Sequence, residues 1–431
     1  MKTSAFLLAA LLVSVSMEGA GRPRSIGSAG SSALSSLART ALSEDKTAAE
    51  RAIAALRAAG YPGLSALLER GGPVSPRICW SGTIEGSGDP WRRWCAAVDA
   101  VAAQRDASVS GLYWHTDLEK AKQEARATGK PILSLRLLGR LDEELSCANS
   151  RFFRVALYAN REIAPILRER YVLHWKSERP VPRITVDFGD GRRLERTITG
   201  NSVHYVLDAN GNPLDALPGL YGPAAFRRWL LESEALAATL ARSEAVPSPA
   251  VLASFHSSKL AQLSARWEID RVSAGLSKPR PTVSSRPAGG AVPAAAAMPV
   301  AMTKAAVEMP MLKAFSPLGS PLDASLTMLA ESAEWGKLAG LHAGEARLDA
   351  TSRALFERET TSSPHSGQAV ASFEASMALD TVRNEYLLHS RIHQWFLGSS
   401  GRWDLERLNQ EVYAKLFLTP RSDPWLGLAP A

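Results

Sequence analysis

The stretch that most constrains how this chain can fold runs from Pro131 to Val172. Pro131-Ile132-Leu133-Ser134-Leu135-Arg136-Leu137-Leu138 is short, apolar and bounded by turn signals, which predicts an interior strand. A polar loop leads to Cys147-Ala148-Asn149-Ser150, then to a helical stretch and a second apolar run at Tyr171-Val172-Leu173. A lone cysteine where a strand hands over to a helix is a chemical proposition, because the helix N-terminus stabilises a thiolate. Arg136, inside the apolar run, needs a partner if it is buried.

At 431 residues the chain suggests two or three domains. Apolar content of 45% and charged content of 22% allow sizeable cores. The formal charge is +7, yet Lys and Arg are interspersed with Asp and Glu, with no dense basic block to bind nucleic acid or lipid. No nucleic-acid partner is expected.

Lys2, the apolar run Ala5 to Val13, and small residues at Ser14 and Ser16 have the pattern of a secretory signal over 1–20. The run is too short to span a bilayer, and no later stretch reaches that length. Export to a periplasm or beyond is expected, with no transmembrane segment after signal cleavage. In an oxidising compartment three cysteines imply a pair and one left over. Cys79 and Cys95 lie close in sequence, and pairing them would stabilise by about 3 kcal/mol. Cys147 would then be the unpaired thiol. The alternative is a buried, apolar Cys95 with Cys79 reduced.

Composition divides the rest. Residues 21–37 read as a flexible leader and 38–108 as a helical region, with a Gly/Pro/Ser loop at 71–90. Thr116 and Glu119 have capping-box spacing before a helix that Gly129 ends. Two alternating runs flank Gly189-Asp190-Gly191 as a hairpin, Val203 to Leu207 and Pro213 to Leu217 form another antiparallel pair, and Pro223 to Leu240 is a closing helix. Residues 243–317 hold one more helix and a Pro/Ala-rich linker, and 318–431 read as a helical C-terminal domain.

The order helix, strand, cysteine, helix, strand, antiparallel pair, closing helix resembles the thioredoxin fold, and more closely the secreted thioredoxin-like family. Gly129-Lys130-Pro131, the spacing of Tyr158, Ile163 and Leu167 up to Arg170-Tyr171-Val172, Leu207-Asp208 with Gly211, and later Gly219 and Phe226 match that family. The likeness covers about residues 111–232. It implies a thioredoxin-like α/β domain over 109–242, flanked by mainly helical N- and C-terminal regions, and puts the family's two cysteines on Cys147 and Ser150. Its substrate-binding cis-proline falls on Ser202, and about six extra residues, around Arg140 to Leu145, precede the cysteine.

A Cys-x-x-Ser thiol can attack a disulfide but cannot release the adduct with a second thiol of its own. The resemblance therefore implies monothiol exchange: Cys147 as nucleophile, Ser150 as its hydroxyl neighbour, and protein disulfides or a low-molecular-weight thiol as partners, with no cofactor. Asp142-Glu143-Glu144 would oppose thiolate formation. The other reading is a non-catalytic envelope binding or scaffold protein on a degenerate fold.

Glu385, His389 and His393 recur every four residues, so one helix face carries a carboxylate and two imidazoles able to share a metal ion. The bland alternative is a solvated or partner-facing stripe. No Gly-x-Ser-x-Gly elbow, His-Glu-x-x-His or phosphate-binding glycine loop occurs, which leaves hydrolase, kinase and nucleotide-binding readings without support.

Overall fold

A computed structural model describes residues 28–71, 90–197, 200–242, 249–276, 329–359, 366–398, 403–424 and 426. The signal segment 1–20, Cys79 and the linker from 277 to 317 lie outside the described residues.

The N-terminal helices are α1 (Ser28–Thr40), α2 (Lys46–Ala58), α3 (Tyr61–Arg70) and α4 (Pro90–Ala102). The leader expected over 21–37 is therefore helical from Ser28 onward. Leu34, Leu37, Ala38 and Ala41 recur at helical spacing and pack into a bundle with Leu56, Leu67 and Trp94. A one-turn α5 (Ala107–Ser110) leads to α6 (Leu118–Thr128). Asp117, not Thr116, caps α6: its carboxylate accepts from Glu119 N at 2.9 Å. Asp117 stands one residue nearer the helix, which puts its carboxylate within reach of the free N–H of Glu119.

The sheet strands follow: β1 (Ile132–Leu138), α7 (Ala148–Phe152) with a π-helical continuation Phe153–Tyr158, α8 (Ile163–Arg170), β2 (Val172–Arg179), β3 (Arg183–Asp187), β4 (Arg193–Thr197), β5 (Ser202–Leu207) and β6 (Pro213–Pro218). Strands β2-β1-β5-β6 form one mixed sheet, with β1 and β2 parallel and β5 antiparallel to both its neighbours. β3 and β4 pair only with each other.

Every residue of β1 is buried, so both faces of the sheet are covered. Leu135 and Leu137 lie opposite His204 and Ser202, on the face where Tyr158 Oη meets His204 Nε2 at 2.8 Å. Ser134 lies opposite Tyr205 on the other face, where Tyr205 Oη donates to Asn409 Oδ1 at 3.1 Å. Arg136, on that face too, is fully buried between Glu178 and Glu406 at 3.0 and 2.9 Å.

The remaining helices are α9 (Pro223–Ala241), α10 (Pro249–Ser273), α11 (Leu329–Leu341), α12 (Ala350–Glu359), α13 (Ser366–Arg383), a π-turn Asn384–His389, α14 (Ser390–Gly398) and α15 (Leu405–Glu411), which runs into a second π-turn Val412–Leu416. Read from sequence as a region apart, these C-terminal helices share one core with the sheet: Phe373, Phe396, Leu408 and Val412 belong to the same cluster as Leu133 and Val206. Helices whose apolar stripes cannot close on one another bury them against the open sheet face. No described helix is long and apolar enough to cross a membrane.

Candidate functional site

Two places in the fold hold chemistry. The first is Cys147. It is the N-cap residue of α7 and is fully buried, with no hydrogen bond from its side chain to the helix start. It belongs to no disulfide, whereas Cys95 is disulfide-bonded. Ser150 N donates to Cys147 O at 3.0 Å, but the Ser150 hydroxyl is buried without a hydrogen-bond partner. Ser202 Oγ takes a hydrogen bond from Asn149 Nδ2 at 2.7 Å, and no peptide bond of the described chain is cis. Gly200 passes so close to this loop that a Cβ there would stand 2.9 Å from Asn149 Oδ1, an approach only glycine permits.

The acidic run before Cys147 is matched by arginines: Asp142 and Glu143 meet Arg140 at 2.7 and 3.4 Å, and Glu144 meets Arg105 at 3.1 Å. The C-terminal segment is tied to Asn201, next to Ser202, and to the end of β2. Tyr413 Oη donates to Asn201 O at 3.2 Å, and Asn201 Nδ2 donates to Thr419 Oγ1 at 2.8 Å. Arg179 clamps the carbonyls of Asp423, Thr419 and Pro420 at 2.7, 2.9 and 3.4 Å. Burial pushes the phenols of Tyr158 and Tyr413 well above the ordinary value.

The second place lies at the far edge of the sheet. β6 carries Asp215 in an otherwise apolar strand, and its neighbours α9, α10 and the segment 384–398 converge on it. Asp215 Oδ2 accepts from Trp229 Nε1 at 2.9 Å and lies 3.3 Å from His389 Nε2, while Oδ1 accepts from Ala216 N at 2.8 Å. His389 Nδ1 lies 3.3 Å from Glu385 Oε2. Burial opposes a charge on His389, but the carboxylates on its two nitrogens outweigh that and push its pKa up to about 10.

His393 Nδ1 lies 3.9 Å from Asp215 Oδ1 and 2.8 Å from His256 Nδ1. His256 Nε2 sits 3.1 Å from Leu214 O; a carbonyl only accepts, so that nitrogen carries the proton and Nδ1 keeps its lone pair. Burial lowers His256 to about 4, against the pull of Asp215, and drives His393 further down beside the charged His389. His393 Nε2 is buried with no hydrogen-bond partner.

Of the three candidates spaced along one helix face, the structure thus makes Glu385 and His389 an ion pair, while His393 turns to Asp215 and His256. Asp215, His256 and His393 each offer a ligand atom within 4.8 Å of the others. Sequence periodicity misses Asp215 and His256, since neither shares an element with His393. The available signal was a carboxylate inside the apolar run Pro213-Leu214-Asp215-Ala216-Leu217. The π-turn Asn384–His389 sits where the two histidines begin, and such insertions recur at functional sites. A cleft of about 240 Å³, lined by Arg228, Trp229, Lys259, Glu385, His389 and His393, opens beside the cluster.

No family model, curated protein or solved structure matches the chain.

Proposed function

We propose that the chain is an exported protein on a thioredoxin-like sheet that acts by binding a partner protein rather than by thiol–disulfide exchange. A parallel strand pair, then an antiparallel pair and a closing helix, is the order of elements that the family resemblance implies, and β1, β2, β5, β6 and α9 follow it. The observation that carries the binding reading is the complete burial of Cys147. A nucleophilic thiol has to reach its disulfide, and a wholly buried one does not without local opening.

Among the described residues, the β3–β4 hairpin offers a partner a row of exposed apolar side chains. Ile184, Val186 and Phe188 alternate along it on one face and are 47%, 43% and 41% exposed. A row of large apolar side chains on a ladder outside the main sheet is the kind of surface that protein contacts use.

Exchange through Cys147 with protein disulfides or a small thiol is the second reading, favoured by the position of the cysteine at the start of α7. Host cells lacking the protein separate the two. Chains carrying Cys147→Ser are expected to restore the lost phenotype, and chains with Ile184, Val186 and Phe188 changed to Ser are expected not to. The reverse pattern, or labelling of Cys147 by maleimide in the folded chain as fast as in urea, overturns the binding reading.

A further inference from the structure

We propose that Asp215, His256 and His393 together bind one divalent transition-metal ion of the zinc class. The ligand atoms are His256 Nδ1, His393 Nδ1 and a carboxylate oxygen of Asp215, brought from α10, α14 and β6. Two imidazoles and one carboxylate form a donor set suited to zinc and its neighbours. Three protein ligands leave a fourth position for water or a ligand, unlike closed sites of four protein ligands.

Three further features set this cluster apart from an ordinary buried histidine pair. The first is the support behind each ligand. His256 gives its other N–H to the Leu214 carbonyl, which leaves Nδ1 as the donor atom, and this is the usual second contact of a metal-bound histidine. Asp215 is oriented by Trp229 Nε1 and His389 Nε2 on Oδ2 and by Ala216 N on Oδ1, whose second lone pair remains on the side of His393. The second is depth: the three residues are at most 1% exposed, and polar groups so buried are not solvated. The third is that no hydrogen bond fixes His393 Nε2 as donor or acceptor, so His393 is free to take the tautomer that presents its Nδ1 lone pair.

Binding needs only a small movement. The two Nδ1 atoms stand 2.8 Å apart, hydrogen-bond spacing with one proton between them. Metal–nitrogen bonds of about 2.0–2.1 Å in a tetrahedron put ligand nitrogens roughly 3.3 Å apart. The rings therefore part by about half an ångström as the His393 proton passes from Nδ1 to Nε2, so that both imidazoles bind as neutral ligands. The cleft beside His389 and His393 gives the ion an entry path.

The test uses the full chain, stripped with a chelator and titrated separately with Zn²⁺ and Co²⁺. One ion per chain should be taken up and retained through gel filtration. Cobalt should show the visible absorption of a four-coordinate nitrogen–oxygen site, with no thiolate charge-transfer band. His256→Gln and Asp215→Asn should each weaken binding by about a hundredfold or more. His115→Gln, which changes a histidine paired with Glu124, should leave it unchanged. If the ligand variants fail to fold, the cobalt spectrum of the native chain decides. Absence of saturable uptake, a thiolate band that makes Cys147 the ligand, or native affinity in a folded His256→Gln chain overturns the site.

Discussion

Arg136 Nη2 lies 2.9 Å from Glu406 Oε1, joining the central strand to a helix 270 residues later in the chain. Its Nη1 reaches Glu178 at 3.0 Å, and the guanidinium is wholly buried while Glu406 is about half exposed. Removing one partner of a buried pair costs about 3–5 kcal/mol, and an exposed partner much less. Urea unfolding of Glu178→Ala should show a loss of about 3 kcal/mol, and Glu406→Ala about 1 kcal/mol. Arg136→Met, which removes the charge and keeps the volume, should be milder than Glu178→Ala. A native midpoint for Glu178→Ala would mean that the pair does not hold the charge.

Stability should have a maximum near neutral pH. Burial lowers His174 and His204 to about 3, so both stay neutral in the folded chain while the unfolded chain takes up protons below about 6.5. Stability therefore falls as pH drops from about 6.5 toward 3. His389 acts in the opposite sense: its raised value means a contribution present below about 6.5 and lost as pH climbs toward 10. Thermal melts across that range, with His204→Phe and His389→Gln for comparison, should show a flatter acid limb in the first and a flatter alkaline limb in the second.

The Arg179 clamp should control access to Cys147. Hydrogen bonds to a charged group contribute about 1.5–3 kcal/mol, so Arg179→Ala should favour local opening by about tenfold to a hundredfold. Maleimide labelling of Cys147 should accelerate by that factor with little change in the global melting point. An unchanged labelling rate would show that another contact seals the thiol.

Two glycines should respond oppositely to alanine. At Gly222 a Cβ would sit 2.6 Å from Glu345 O and 2.8 Å from Ala346 Cα, both backbone atoms that cannot swing aside. Overpacking there should cost about 1–3 kcal/mol. Gly336, inside α11, has nothing within 4 Å of the same position, and Gly336→Ala should stabilise by about 0.5–1 kcal/mol. Equal melting points for the two variants would refute the close approach at Gly222.

Periodicity and turn residues sufficed for the local elements. β1, the Gly189–Gly191 hairpin, β5, β6 and α9 stand within about two residues of their expected bounds, because each alternates or recurs on its own. Assembly was not legible. Nothing in the local pattern of Leu405, Leu408 and Val412 says that their stripe covers a strand begun at Ile132, since an apolar stripe records burial but not its partner. The site divided in the same way. His389 and His393 were visible as a spacing, whereas Asp215 and His256 were single polar letters in apolar surroundings. Only the convergence of β6 and α10 gave those letters a meaning.

The pairing of Arg136 with Glu406 also sets a timetable for biosynthesis. The N-terminal bundle, tied by Trp94 Nε1 to Leu67 O at 2.8 Å, can close as soon as those residues are made. The sheet cannot. Until the segment from Trp403 onward is made, the face of β1 and β5 holding Arg136 and Tyr205 lacks Glu406 and Asn409, and the guanidinium has only Glu178. A chain interrupted before that point presents an incompletely packed sheet and a half-paired guanidinium, which is where chaperones and proteases would find it.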